Sequence, residues 1–179
     1  MPALDNAGSL RDKRSKTVVL VHGTEVRPMV TDPKQNTVLF LCTGNYYRSR
    51  YAEIVFNELA RERGLPWIAT SRGLAPSPRN VGPLSQHTHA ALGRRGIDPA
   101  PHLRDPIAVT DADFAAAGLV VAVKEAEHRA MVERNFPQRI SQVEFWHVHD
   151  LDCSEPVDTI ASLDVLLVAL VERLQTAAR

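Results

Sequence analysis

Val38-Leu39-Phe40-Leu41-Cys42-Thr43-Gly44-Asn45-Tyr46-Tyr47-Arg48-Ser49 passes from an apolar run, through a polar loop, into a helical pattern. The continuous apolar stretch Thr37 to Leu41 is expected of a strand buried on both faces. From Ser49 to Arg63 the apolar residues Ala52, Val55, Phe56 and Leu59 recur at helical spacing, and Gly64 is the expected stop. A loop joining such a strand to such a helix aims several backbone N–H groups at one place, and the helix N-terminus adds partial positive charge there. Gly44 and Asn45 are residue types that tolerate the left-handed backbone this kind of anion cradle needs. Arg48 lies six positions after Cys42, far enough for the chain to wrap once and aim its guanidinium at the same point. A guanidinium fork holds two oxygens of a phosphoryl group.

The same donors act on the sulfur. A free thiol titrates near pKa ~8.5, and a helix N-terminus beside an arginine favours the thiolate. Cys42 is therefore the expected nucleophile, with Ser49 placed to donate to its sulfur. Thr43, Gly44, Asn45, Tyr46, Tyr47, Arg48 and Ser49 are the expected substrate-binding loop, one set of donors serving both tasks. The commoner fate of a cysteine at a strand end is an inert core position. The apolar strand, the Gly-Asn pair, the Arg-Ser pair and the amphipathic helix together argue against it here.

Outward from the loop, strands and helices alternate. Trp67 to Ser71 reads as a strand, Val81 to Gly96 as a helix, and Thr110-Asp111-Ala112-Asp113 as the cap of a short helix. Leu119 to Val123 is a further apolar strand, Glu125 to Asn135 a helix, and Val143 to Val148 a strand. Pro156 opens a C-terminal helix with Ile160, Leu163, Leu166, Leu167, Leu170 and Leu174 facing inward. Strands separated by helices imply an α/β fold, a parallel sheet with helices on both faces, and ligands bind such sheets at the carboxyl ends of the strands. Cys42 falls at such an end. Residues 1–36 read differently, as an N-terminal extension: an arm, or an added hairpin with strands Thr17 to Val21 and Glu25 to Val30. Residues 37–179 form the expected catalytic domain.

The chain of 179 residues is 44% hydrophobic and 23% charged, which suits one globular domain with a proper core. Twenty-one basic residues balance twenty-one acidic ones, so no net field draws the chain to nucleic acid or to a membrane. Only four of those cations are lysines, an arginine bias that suits a phosphate handler. Two cysteines, Cys42 and Cys153, are too few for a disulfide framework, and the Met-Pro-Ala-Leu-Asp-Asn start has no secretory pattern, so a cytoplasmic location is expected.

The run Val38 to Glu53 resembles the opening of low-molecular-weight protein tyrosine phosphatases and of the arsenate reductases that share their fold. Further counterparts follow in order: Ser71-x-Gly73, Asn80-Val81-Gly82-Pro83, Gly96-Ile97-Asp98 then His102, Val109-Thr110 before Phe114, and Asp150. The resemblance implies a three-layer sandwich around a four-stranded parallel sheet in the order 2-1-3-4, with the phosphate loop after the first core strand. It also implies a two-step reaction. Cys42 attacks phosphorus to give a phosphocysteine, and water then releases inorganic phosphate, with no metal or other cofactor. The implied substrate is a phosphorylated protein or a small phosphate ester. An aspartate after the last strand is the family's general acid, which points to Asp150, with Asp152 in reserve. His102 matches the histidine that holds the loop asparagine.

Departures from the family pattern cluster around the loop. Tyr47 stands where a second loop cysteine is common, and Ser49-Arg50-Tyr51 replaces Ser-Pro-Met. Arg79 stands at an aromatic rim position and Leu151-Asp152-Cys153 replaces Pro and an aromatic pair, so Tyr46 is the remaining candidate for stacking on a substrate ring. A thiol-linked arsenate reductase and a catalytically weak phosphoprotein- or phosphate-binding module are the alternatives these departures leave open.

Overall fold

The computed structural model describes residues 36–149 and 155–177. The readings made for residues 1–35 and for Asp150, Leu151, Asp152 and Cys153 lie outside the described residues. Four strands, β1 (Thr37–Cys42), β2 (Ile68–Gly73), β3 (Leu119–Ala122) and β4 (Val143–Phe145), pair in parallel in the order β2-β1-β3-β4. Five helices connect or follow them: α1 (Arg48–Glu62), α2 (Gln86–Arg94), α3 (Asp111–Ala116), α4 (Glu125–Asn135) and α5 (Pro156–Ala177). The expected order of strands is the observed one.

Central strand β1 shows why the run Val38 to Leu41 carries no polar residue. Val38 and Phe40 face a core built with Tyr51, Val55 and Phe56 of α1, Leu92 of α2 and Leu163, Leu167 and Val171 of α5. Leu39 and Leu41 face a second core with Phe114 of α3, Val120 and Ala122 of β3, and Val132 of α4. Successive side chains of a strand point to opposite faces, and here both faces are covered, which makes three layers. Each fully buried Leu or Phe contributes about 1.5–3 kcal/mol relative to exposure.

Several boundaries differ from expectation for local reasons. The second helix begins at Gln86 rather than at Val81, because Pro83 interrupts the chain and Ser85 caps the helix, its side chain accepting from His87 N at 3.2 Å. Val81 is instead 86% exposed. Strand β4 ends at Phe145, and the chain then makes only a single antiparallel bridge, His147 to Lys124. Gly64 and Gly96 adopt the left-handed backbone just past α1 and α2 and stop both helices as expected. Thr110 and Asp113 form a reciprocal capping box at α3.

Candidate active site

The loop 43–47 joins β1 to α1 at the carboxyl edge of the sheet. Four carbonyls at the two ends of the loop are paired. Cys42 O accepts from Leu74 N at 2.9 Å, Thr43 O from Ala75 N at 2.8 Å, Tyr46 O from Ser85 N at 3.0 Å and Tyr47 O from Thr88 Oγ1 at 3.1 Å. Inside the loop, Asn45 N donates to Cys42 Sγ at 3.2 Å. Ser49 Oγ lies 3.0 Å from the same sulfur and accepts from Asn45 Nδ2 at 3.2 Å, so its single proton is directed to Cys42. Among the described residues no side-chain hydrogen bond caps α1, and a helix N-terminus favours an anion. Arg48 is buried at the start of that helix.

Asn45 is the one residue other than glycine with positive φ among the described residues, at 49°. Gly44, expected to share that conformation, does not adopt it. A buried side chain holds Asn45 in place: Nδ2 donates to Ser71 Oγ at 2.8 Å, and Oδ1 accepts from Ile107 N and Arg104 Nη1, both at 2.9 Å. Gly73 closes the cradle from β2. A Cβ there would meet Pro76 Cγ at 2.7 Å, Thr43 O at 3.0 Å and Asn45 Cβ at 3.1 Å, so glycine lets the loop approach the strand.

A family model for low molecular weight phosphotyrosine protein phosphatases matches residues 37–174. The chain belongs to this family. Among curated relatives, a protein-arginine-phosphatase of Bacillus subtilis (strain 168) is 31% identical over 99 residues, which is 55% of this chain and 62% of that protein. A low molecular weight phosphotyrosine protein phosphatase of Sus scrofa is 31% identical over 102 residues, 52% of this chain and 58% of the relative. The chain thus spans about three fifths of the length of these relatives. The solution structure of a low molecular weight protein tyrosine phosphatase from Bacillus subtilis superposes with a TM-score of 0.66 at 26% identity, covering 80% of this chain and 99% of that one.

Within this family frame, one expected contact is replaced. His102 does not hold Asn45; its carbonyl accepts from Arg50 Nη2, and Arg104 takes the place at Asn45 Oδ1. Between Gly96-Ile97-Asp98 and Val109-Thr110 the sequence has no internal landmark, so its register on the family pattern slides freely by the two residues that separate His102 from Arg104.

Two further residues escape sequence reading. Glu127, in the first turn of α4, accepts from the Thr43 hydroxyl with Oε1 and from Arg48 Nη2 with Oε2 at 3.4 Å. His128 is fully buried behind it. Its Nδ1 accepts from Lys124 N at 3.1 Å, so the proton resides on Nε2, which faces Thr43 Oγ1 at 3.3 Å. Burial, then the charges of Arg48 and Lys124, push its pKa down to about 3 and keep the imidazole neutral. The only signal for this pair was that α4 starts at the carboxyl end of β3, on the same edge as Cys42.

A cavity of about 930 Å³ opens above Cys42 and Arg48, with Tyr46, Arg79, Val81 and His87 among its walls. Tyr46 is fixed as part of this wall by its hydroxyl, which donates to the Val81 carbonyl. Tyr47 also lines the cavity, its largely buried ring beside His87 with centroids 5.6 Å apart and its hydroxyl donating to Pro156 O at 3.2 Å. His147 is exposed and pairs with Glu125 at 3.4 Å.

Proposed function

We propose that this protein is a cysteine-dependent phosphatase of phosphorylated protein substrates. The observation that carries the reading is the Cys42 sulfur receiving Asn45 N–H and lying 3.0 Å from the Ser49 hydroxyl inside an anion cradle. Those donors stabilise a thiolate when the sulfur attacks and again when it leaves. Cys42 Sγ attacks phosphorus, forming an S–P bond as the bond to the leaving group breaks. Asp150 protonates that group. Water then attacks the phosphocysteine, giving its proton to Asp150, and inorganic phosphate and the thiolate are released. Arg48 and the backbone of residues 43–49 hold the equatorial oxygens throughout. A reducing cytoplasm suits a reaction that depends on a free thiolate.

The cavity is much larger than a phosphoryl group and one side chain, which favours a polypeptide over a small ester. The two curated relatives carry names for different phosphoresidues, phosphoarginine and phosphotyrosine. Hydrolysis of a chromogenic aryl phosphate by wild type and not by Cys42→Ser is the first test. No turnover from mildly acidic to neutral pH overturns the reading, and thiol-dependent arsenite production in its place would make the protein an arsenate reductase. Asp150→Asn is expected to slow substrates with poor leaving groups most; equal rates would move the acid role to Asp152. Phosphotyrosine and phosphoarginine peptides of one sequence, compared by kcat/KM, assign the residue type.

A further inference from the structure

Beneath the cradle, Glu53 of α1, Ser71 of β2 and Arg104 of the 103–110 connection meet in one network, and none of the three lines the cavity. Arg104 Nη1 donates to Asn45 Oδ1 at 2.9 Å. Its Nη2 donates to Glu53 Oε2 at 2.9 Å and to the Ser71 carbonyl and hydroxyl, each at 3.1 Å. Glu53 Oε2 also accepts from Ser71 Oγ at 2.5 Å and from Arg50 Nη1 at 2.9 Å. Arg50 is almost wholly buried. One carboxylate therefore pairs with two guanidinium groups.

Asn45 explains what the network is for. A left-handed backbone at a residue other than glycine costs about 1–3 kcal/mol and persists only where the surroundings over-determine it. Here that backbone state puts Asn45 N–H on the Cys42 sulfur. We propose that Arg104, held by Glu53, is the positioning residue that locks Asn45 in this state and thereby keeps the phosphate loop in its binding shape. Only a planar fork reaches Asn45, Glu53 and the β2 carbonyl at once; a lysine ammonium meets one or two of them. Arg50 links the same Glu53 oxygen to the His102 carbonyl, which anchors the start of the segment carrying Arg104.

This inference rests on the reading of residues 43–49 as a phosphate loop, but its test needs no turnover. Protection of Cys42 from iodoacetamide by inorganic phosphate reports both the reactivity of the sulfur and the affinity of the loop. The measurement compares wild type, Arg104→Ala, Arg104→Lys, Asn45→Ala and the Asn45→Ala/Arg104→Ala double variant, with thermal melts to establish folding. Arg104→Ala is expected to weaken phosphate protection about tenfold while melting cooperatively, and Arg104→Lys, which keeps the charge beside Glu53, by about threefold or more. In the Asn45→Ala background the Arg104 change is expected to cost less than about twofold, because the two act as one unit. Arg104 variants that fold and protect within twofold of wild type overturn the proposal. So does an Arg104→Ala effect equally large with and without Asn45, since that marks general destabilisation. Should Arg104→Ala fail to fold, Arg104→Lys decides by the same criteria. A wild type that binds phosphate without hydrolysing esters would defeat the phosphatase reading and leave this one standing.

Discussion

The floor and the entrance of this site are built on different principles. On the floor, Cys42, Asn45, Arg48 and Ser49 are all buried and tied to β2, α4 and the 103–110 connection by hydrogen bonds between groups distant in sequence. At the entrance, Val81 is 86% exposed, Arg79 is exposed too, and the Tyr46 side chain is held by one hydroxyl-to-carbonyl bond. A buried polar group left without its partner costs about 1–3 kcal/mol, so the floor tolerates little change. An exposed side chain is exchanged at almost no cost to stability. The exposed entrance is therefore freer to differ than the floor, as Arg79 does.

That contrast can be broken in four places. Cys42→Ser should lower aryl phosphate hydrolysis by about a thousandfold or more, since the nucleophile has no substitute; steady-state rates check this, and a smaller loss would deny Cys42 the central role. Gly73→Ala should follow, at about ten- to a hundredfold in kcat/KM, because the added methyl drives into Thr43 O and the Asn45 side chain and displaces the loop. A variant of wild-type activity would mean that the floor yields more than its packing implies.

The third concerns stability rather than rate. His128 is held neutral with a pKa of about 3, whereas an unfolded histidine titrates near ~6.5. Below ~6.5 the unfolded chain takes up the proton first, so this contribution is complete above ~6.5 and is lost as the pH falls toward about 3. The slope there is at most about 1.4 kcal/mol per pH unit. Denaturant unfolding of His128→Gln should show a flatter pH dependence across that window, and curves parallel to wild type would remove His128 as its source. Smallest is Arg79→Ala, expected to change KM for phosphopeptides by about two- to threefold and to leave a small aryl phosphate unaffected. An equal effect on both substrates would join the entrance to the floor.

The legibility of the molecule followed the same division. Strands β1 and β3, helices α1, α4 and α5, and the loop with Cys42, Arg48 and Ser49 were readable because periodicity and local spacing are properties of neighbouring residues. The start of α2 was misplaced because helical spacing from Val81 hid the break at Pro83 and the cap at Ser85. Arg104 was not legible as the partner of Asn45, a place the resemblance gives to His102, because only the folded loop reveals which nearby side chain reaches Asn45.

Sequence alone determined the order of elements, the buried central strand and the cysteine at its carboxyl end, since each is encoded by residue type within a short window. Tertiary structure alone decided what holds that cysteine ready. Glu53, Ser71, Arg104, Glu127 and His128 come from four separate stretches of chain, and only the packing of α1, β2, α4 and the 103–110 connection brings them to one loop. Hydrogen bonds and ion pairs act over a few ångströms of space, whatever the distance along the chain.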